Sequence, residues 1–147
     1  MLEESSRMLI QAENIFPWDN QEIFCEACRQ LQLKRERGLV GDVAFLDRSL
    51  VDPIAFAEVA QCPISDSIYQ DINNANYEQD VFFLQMLPEY RTDAQRKDSP
   101  DQAVAVSRQL REVYVRLGFR LIDVPLFSNN ELKSKNMRLQ FILGHAV

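Results

Sequence analysis

A chain of 147 residues, 46% hydrophobic and 26% charged, fits one globular domain over residues 1–147 and is long enough to bury a sizeable core. Its net charge of −6 argues against nonspecific binding to nucleic acid or to an anionic membrane, and no apolar run approaches a membrane span. Met1-Leu2-Glu3-Glu4 carries acids where a leader peptide carries bases, so the expected compartment is the cytoplasm, where three cysteines read as reduced thiols.

In chain order, the spacing predicts a short helix over Ser5 to Gln11 with Met8 and Leu9 inward. A loop from Asn14 to Trp18 is expected to anchor on the core through Pro17 and Trp18. Asp19-Asn20-Gln21-Glu22 has the shape of a capping box, with Asp19 as the cap. The helix after it repeats apolar residues at Ile23, Phe24, Ala27, Cys28 and Leu31, then stops at Lys34-Arg35-Glu36-Arg37 and Gly38. Val43-Ala44-Phe45-Leu46 reads as a buried strand tipped by Asp47 and Arg48. Asp52 caps the next helix with Pro53 at its first position, and Cys62-Pro63 breaks it. A more polar helix follows from Asp66 to Ala75, with Ile68, Tyr69 and Ile72 inward.

Val81 to Leu87 is apolar but for Gln85, the pattern of a strand covered on both faces. Glu89 to Asp98 is a polar loop carrying Arg91, Arg96 and Lys97. Ser99-Pro100-Asp101-Gln102 is a second capping box. The helix behind it lines up Ala103, Val106, Leu110, Val113, Tyr114 and Leu117, and Gly118 ends it. Phe119 to Val124 is a third strand. The tail from Asn130 to His145 reads as a helix with Leu132, Leu139 and Phe141 or Ile142 inward. Strands alternating with helices predict an α/β fold, a three-layer parallel sheet with helices on both faces.

Asp47-Arg48 admits two readings. One is a solvated ion pair at a strand end, worth little. The other is a carboxylate that helps hold Mg²⁺ or takes an acceptor proton, beside an arginine on phosphate. Arg91 and Arg96 are either ordinary surface charges or guanidinium groups on a flap over a transferring phosphoryl group. Cys25 and Cys28 would make a redox pair only at a helix start, and they lie inside one. With Cys62 and His145 they match no zinc spacing. His145 has no nucleophile motif to serve. The glycine-rich pattern G-x-x-x-x-G-K-[ST], which cradles phosphates in such folds, occurs nowhere among the residues.

Glu4-Ser5-Ser6-Arg7, Phe16-Pro17-Trp18, Phe45-Leu46-Asp47-Arg48-Ser49, Tyr90-Arg91-Thr92-Asp93 with Arg96, and Leu117-Gly118-Phe119 follow one another at the spacing of a known family. Together they resemble the predicted AAA-type ATPase domain shared with NadR, a P-loop domain related to nucleoside and nucleotide kinases. The resemblance runs from Met1 to about Leu143. It implies a P-loop kinase-like fold, ATP and Mg²⁺ as cofactors, and transfer or hydrolysis of the γ-phosphate to an unidentified small-molecule acceptor. It makes Asp47 the strand-end acid and metal ligand, Arg48 a phosphate contact, Glu4 and Arg7 an acid and base near the acceptor, and Arg91 and Arg96 lid arginines.

The family carries a strand and P-loop ahead of its Glu-Ser-Ser-Arg stretch, and this chain starts almost on that stretch. The expectation is an incomplete domain, its central first strand and Walker A segment missing through truncation, a misplaced start or supply by another chain. Such a chain is expected to be inactive alone, with open sheet edges that favour self-association. The alternative is a non-enzymatic binding or regulatory module built on a P-loop fold.

Overall fold

Two strands, β1 (Asp80–Leu84) and β2 (Arg120–Val124), run parallel in the computed structural model, which describes residues 5–86, 99–128 and 131–146. Asp80 lies opposite Arg120 and Leu84 opposite Val124. Parallel neighbours need a crossover. Here α5 (Pro100–Arg116) lies between them in sequence. Its start is the expected box: Ser99 Oγ accepts from Gln102 N at 3.2 Å and Gln102 Oε1 accepts from Ser99 N at 2.8 Å. Leu110, Val113 and Tyr114 are buried as the stripe predicts, and Gly118, at φ +91°, makes the left-handed exit that glycine tolerates.

The remaining helices are α1 (Ser5–Met8), running into a π-helical turn over Leu9–Glu13, α2 (Gln21–Arg37), α3 (Asp52–Ala60), α4 (Ser67–Asn74) and α6 (Glu131–Ala146). The main core joins Leu50, Val51 and Ile54 at the start of α3 to Ile68 and Ile72 of α4 and the α5 stripe, with Val81, Phe83 and Leu121 of the sheet packed against it. A smaller cluster joins Leu9 and Ile10 to Phe24 and Cys28 of α2. No helix among the described residues is long and apolar enough to cross a membrane.

Several expectations give way. The sheet has two strands among the described residues, and the larger three-layer sheet is not shown by them. Val43–Leu46 is not a buried strand. Val43 is 77% exposed, Phe45 37% exposed, and only Leu46 takes a bridge position. An apolar run becomes a strand only where another strand satisfies its N–H and C=O groups, and no described strand flanks this one. Asn20, not Asp19, caps α2, accepting from Ile23 N at 3.1 Å. Ile23 points outward and the buried row is Phe24, Cys25, Cys28, Arg29 and Gln32. Arg29 turns the helix this way by reaching α4, with Nε 2.9 Å from Asp71 Oδ2 and Nη2 2.8 Å from Ser67 Oγ. Trp18 stacks on Phe16 at 4.8 Å but is exposed, so it does not anchor the loop in the core. In α6 the predicted face is met only in part: Phe141 and Ile142 are half-buried, but Leu132 and Leu139 are exposed, and Ser134 and Arg138 are buried.

Candidate functional site

The turn between the exposed run and α3 carries the most concentrated polar chemistry of the molecule. Arg48 sits there at φ +84°, a left-handed conformation uncommon for a side-chain-bearing residue and held only where surroundings enforce it. Asp52 is the enforcing group. Pro53 starts the helix so early that Asp52 falls in its first turn, 3% exposed. Its Oδ1 accepts from Arg48 Nη1 at 3.1 Å. Its Oδ2 accepts from Ser49 N at 3.0 Å and from Tyr114 OH at 2.8 Å. Ser49 Oγ lies 2.8 Å from Tyr114 OH and accepts from Val51 N at 3.0 Å. A buried carboxylate given this many donors fixes the backbone that surrounds it. The same environment pushes the Tyr114 hydroxyl well above its ordinary pKa, through burial first and the Asp52 charge second. Tyr114 therefore donates and does not ionise.

A second set of bonds supports the turn from below. Gln32 Nε2 donates to Glu36 Oε1 at 2.6 Å and lies 3.3 Å from the Arg48 carbonyl. Tyr77 OH donates to Glu36 Oε2 at 2.7 Å and accepts from Leu50 N at 3.1 Å. Burial raises the Glu36 carboxyl, and the Tyr77 and Gln32 hydrogen bonds partly counter that. Ser5 Oγ donates to Gln32 Oε1 at 2.5 Å. The turn, α1 and α2 thus meet around a cavity of about 20 Å³ lined in part by Ser5, Ser6, Gln32, Arg48 and Asp52, room for about one water. A wider cleft, about 400 Å³, lies near the amino ends of the strands between Asn73, Asn76, Tyr77 and Phe119. Tyr77 lines it, but the Arg48 turn does not. The turn is the better candidate site, because buried polar groups converge on it.

The predicted site residues divide accordingly. Asp47 is exposed on the turn and Arg48 half-buried beside it. Arg48 pairs with Asp52, so part of its charge has a structural role. Arg7 is half-buried in α1, next to the Ser5-Ser6 pair that shares the cavity with Arg48. Two stretches more than forty residues apart in sequence therefore meet. Glu4, Arg91 and Arg96 lie outside the described residues. Asp52, Tyr114 and Glu36 are absent from the predicted site. Asp52 reads as a helix cap and Tyr114 as one residue of a core stripe. The one available signal is an acid inside the apolar run Leu50-Val51-Asp52-Pro53-Ile54.

The donor set bears on metal binding. Both Asp52 oxygens accept from protein donors, and Asp47 is an exposed carboxylate of the turn. Mg²⁺ is held by one or two carboxylates together with waters and substrate phosphates, and Asp47 fits that role. No group of three or more His, Cys, Asp or Glu side chains that could hold a metal by itself occurs among the described residues. The thiols are placed for packing. Cys25 and Cys28 are buried well inside α2, and burial pushes the Cys25 thiol up to about 11, far from a reactive thiolate. His145 Nδ1 lies 2.8 Å from the Phe141 carbonyl within α6.

A family model described as an AAA domain matches residues 1–131. No curated protein and no solved structure matches the chain. The family is one of P-loop, ATPase-like domains that in general bind a nucleotide with Mg²⁺. The match spans most of the 147 residues and includes the Ser5-Ser6 stretch, the Arg48 turn and the helices that hold it, and the chain belongs to this AAA domain family.

Proposed function

We propose that this chain carries the acceptor-side half of a NadR-like, kinase-related phosphoryl-transfer site. In this reading Arg48 contacts the transferring phosphate and Asp47 faces its Mg²⁺. Glu4 and Arg7 lie near a small-molecule acceptor, and Arg91 and Arg96 close over the phosphates. The observation that carries the reading is the Arg48 turn. A buried carboxylate, a tyrosine and a serine hold one arginine in a left-handed conformation beside an exposed aspartate, inside the span matched by a nucleotide-binding family. A preorganised guanidinium stabilises charge on a transferring phosphoryl group without reorganising at the moment of reaction. Bound Mg²⁺ supplies charge neutralisation at the phosphate oxygens. The glycine-rich loop that completes such a site is not among these residues, so in this reading it comes from outside them and the chain alone does not turn over ATP.

The missing loop also favours a second reading, a non-enzymatic nucleotide-binding or regulatory module. The two separate in one experiment. Mg-ATP binding and phosphate release are measured on the 147-residue chain and on a form extended by any in-frame G-x-x-x-x-G-K-[ST] segment encoded ahead of Met1. The main reading expects turnover only in the extended form, with Arg48→Ala weakening binding or rate roughly ten- to a hundredfold. Binding without turnover in both forms supports the module. Absence of Mg-ATP binding in both ends the nucleotide reading, and binding indifferent to Arg48→Ala removes Arg48 from the site.

A further inference from the structure

Arg138 is a buried cation with no acid beside it among the described residues. It is 9% exposed, and it takes part in none of their ion pairs. Its partners are two main-chain carbonyls: Nε donates to Pro125 O at 3.0 Å and Nη2 to Gln85 O at 2.7 Å. Those are the residues immediately after β2 and β1. Gln85 N still donates to Val124 O at 3.1 Å, so the guanidinium sits where the parallel ladder ends. Ser134, one turn earlier on α6, donates to Leu126 O and fastens the helix to the same edge. Desolvation alone lowers the Arg138 pKa, uncompensated by any neighbouring carboxylate.

Two generalities make this placement informative. A buried charge is normally matched by an opposite charge, because carbonyl dipoles offset only part of its desolvation. Ligands of parallel α/β sheets bind outside the carboxyl ends of the strands. We propose that Arg138 is an anion-binding residue of this edge, and that it takes a phosphate group. Residue 138 lies beyond the 131 residues that match the family model. That the phosphate belongs to a nucleotide rests on the function proposed above. That an oxyanion binds there does not.

The test is the rise in melting temperature of the full chain with sodium pyrophosphate, and separately with Mg-ATP, at constant ionic strength. It compares wild type, Arg138→Gln and Arg138→Lys. Glutamine keeps an amide donor for the strand-end carbonyls, and lysine keeps the charge without the fork. The proposal expects pyrophosphate to stabilise wild type, with apparent affinity at least about tenfold weaker in Arg138→Gln and intermediate in Arg138→Lys. A merely structural arginine lowers the starting melting temperature of both variants and leaves the pyrophosphate-induced rise unchanged, which overturns the proposal. So does a wild type indifferent to pyrophosphate and to Mg-ATP. A pyrophosphate response that depends on Arg138, with none to Mg-ATP, upholds the anion site and separates it from nucleotide binding by this chain. Should the glutamine variant not fold, the Arg138 Nε–H resonance of ¹⁵N-labelled wild type decides: it shifts on pyrophosphate titration, or the proposal fails.

Discussion

Val43-Ala44-Phe45-Leu46 and Val81-Phe82-Phe83-Leu84 are nearly the same word, and they have opposite fates. The second is β1, paired residue for residue with β2 and packed on the main core through Val81 and Phe83. The first is no strand and is largely exposed. Apolar content and β-branching give a segment the capacity to be a strand. A neighbour that takes up its backbone hydrogen bonds makes it one. The two runs also end differently. After β1 and β2, backbone carbonyls are gathered by Arg138 from another helix. After the exposed run, order resumes at once in the Arg48 turn, held by side chains: Asp52, Tyr114 and Ser49 above, Gln32, Glu36 and Tyr77 below.

The contrast can be broken most severely in the paired region. Val124 is fully buried at the end of β2, and Val124→Asp places an unpartnered carboxylate there. It should cost roughly 4 kcal/mol, read as a collapse of the urea midpoint. A loss below 1 kcal/mol would mean that the sheet edge is open to water at this position.

A smaller effect distinguishes side-chain pinning from backbone pairing through pH. Glu36 has its carboxyl raised by burial, so the folded state holds that proton more tightly than the unfolded chain. Its contribution to stability is complete below the unfolded value of 4.5 and is lost as pH rises through the folded one. Glu36→Gln should therefore flatten the decline of the urea midpoint from pH 5 towards neutrality, and the same slope in both proteins would contradict the burial of this group. The smallest effect belongs to the exposed run: Val43→Asp should shift stability by no more than about 0.5 kcal/mol. A cost several times larger, measured by the same denaturation, would show that a strand covers the run in solution.

Legibility followed how local each cause is. The α5 box at Ser99 and Gln102 is spelled out within four residues and forms as written. The α2 cap shifts by one residue because Asp19 and Asn20 are equally good caps, and only the incoming chain direction chooses between them. The faces of α2 and α6 depart from the expected ones for a single reason. Arg29, Gln32, Ser134 and Arg138 are polar, and nothing local says that their partners, Asp71, Ser5 and the strand-end carbonyls, will be inside with them. At the candidate site, Asp47 and Arg48 are legible as charge at the end of an apolar run. Their support is not, because Tyr114 lies 62 positions from Asp52.

The sequence by itself determined where helices start and stop, which runs have the capacity for strand, the family, and the Asp47-Arg48 pair as the place to look for phosphate chemistry. These are short-range properties of caps, glycines, prolines, periodicity and motif order. Only the tertiary structure decided which apolar run became a strand, which helix faces turned inward, that Asp52 holds Arg48 in a left-handed turn, and that Arg138 closes the edge of the sheet. Each of those depends at least in part on a hydrogen-bond partner far away in the chain, and a buried polar group takes whichever partner the fold brings within about 3 Å.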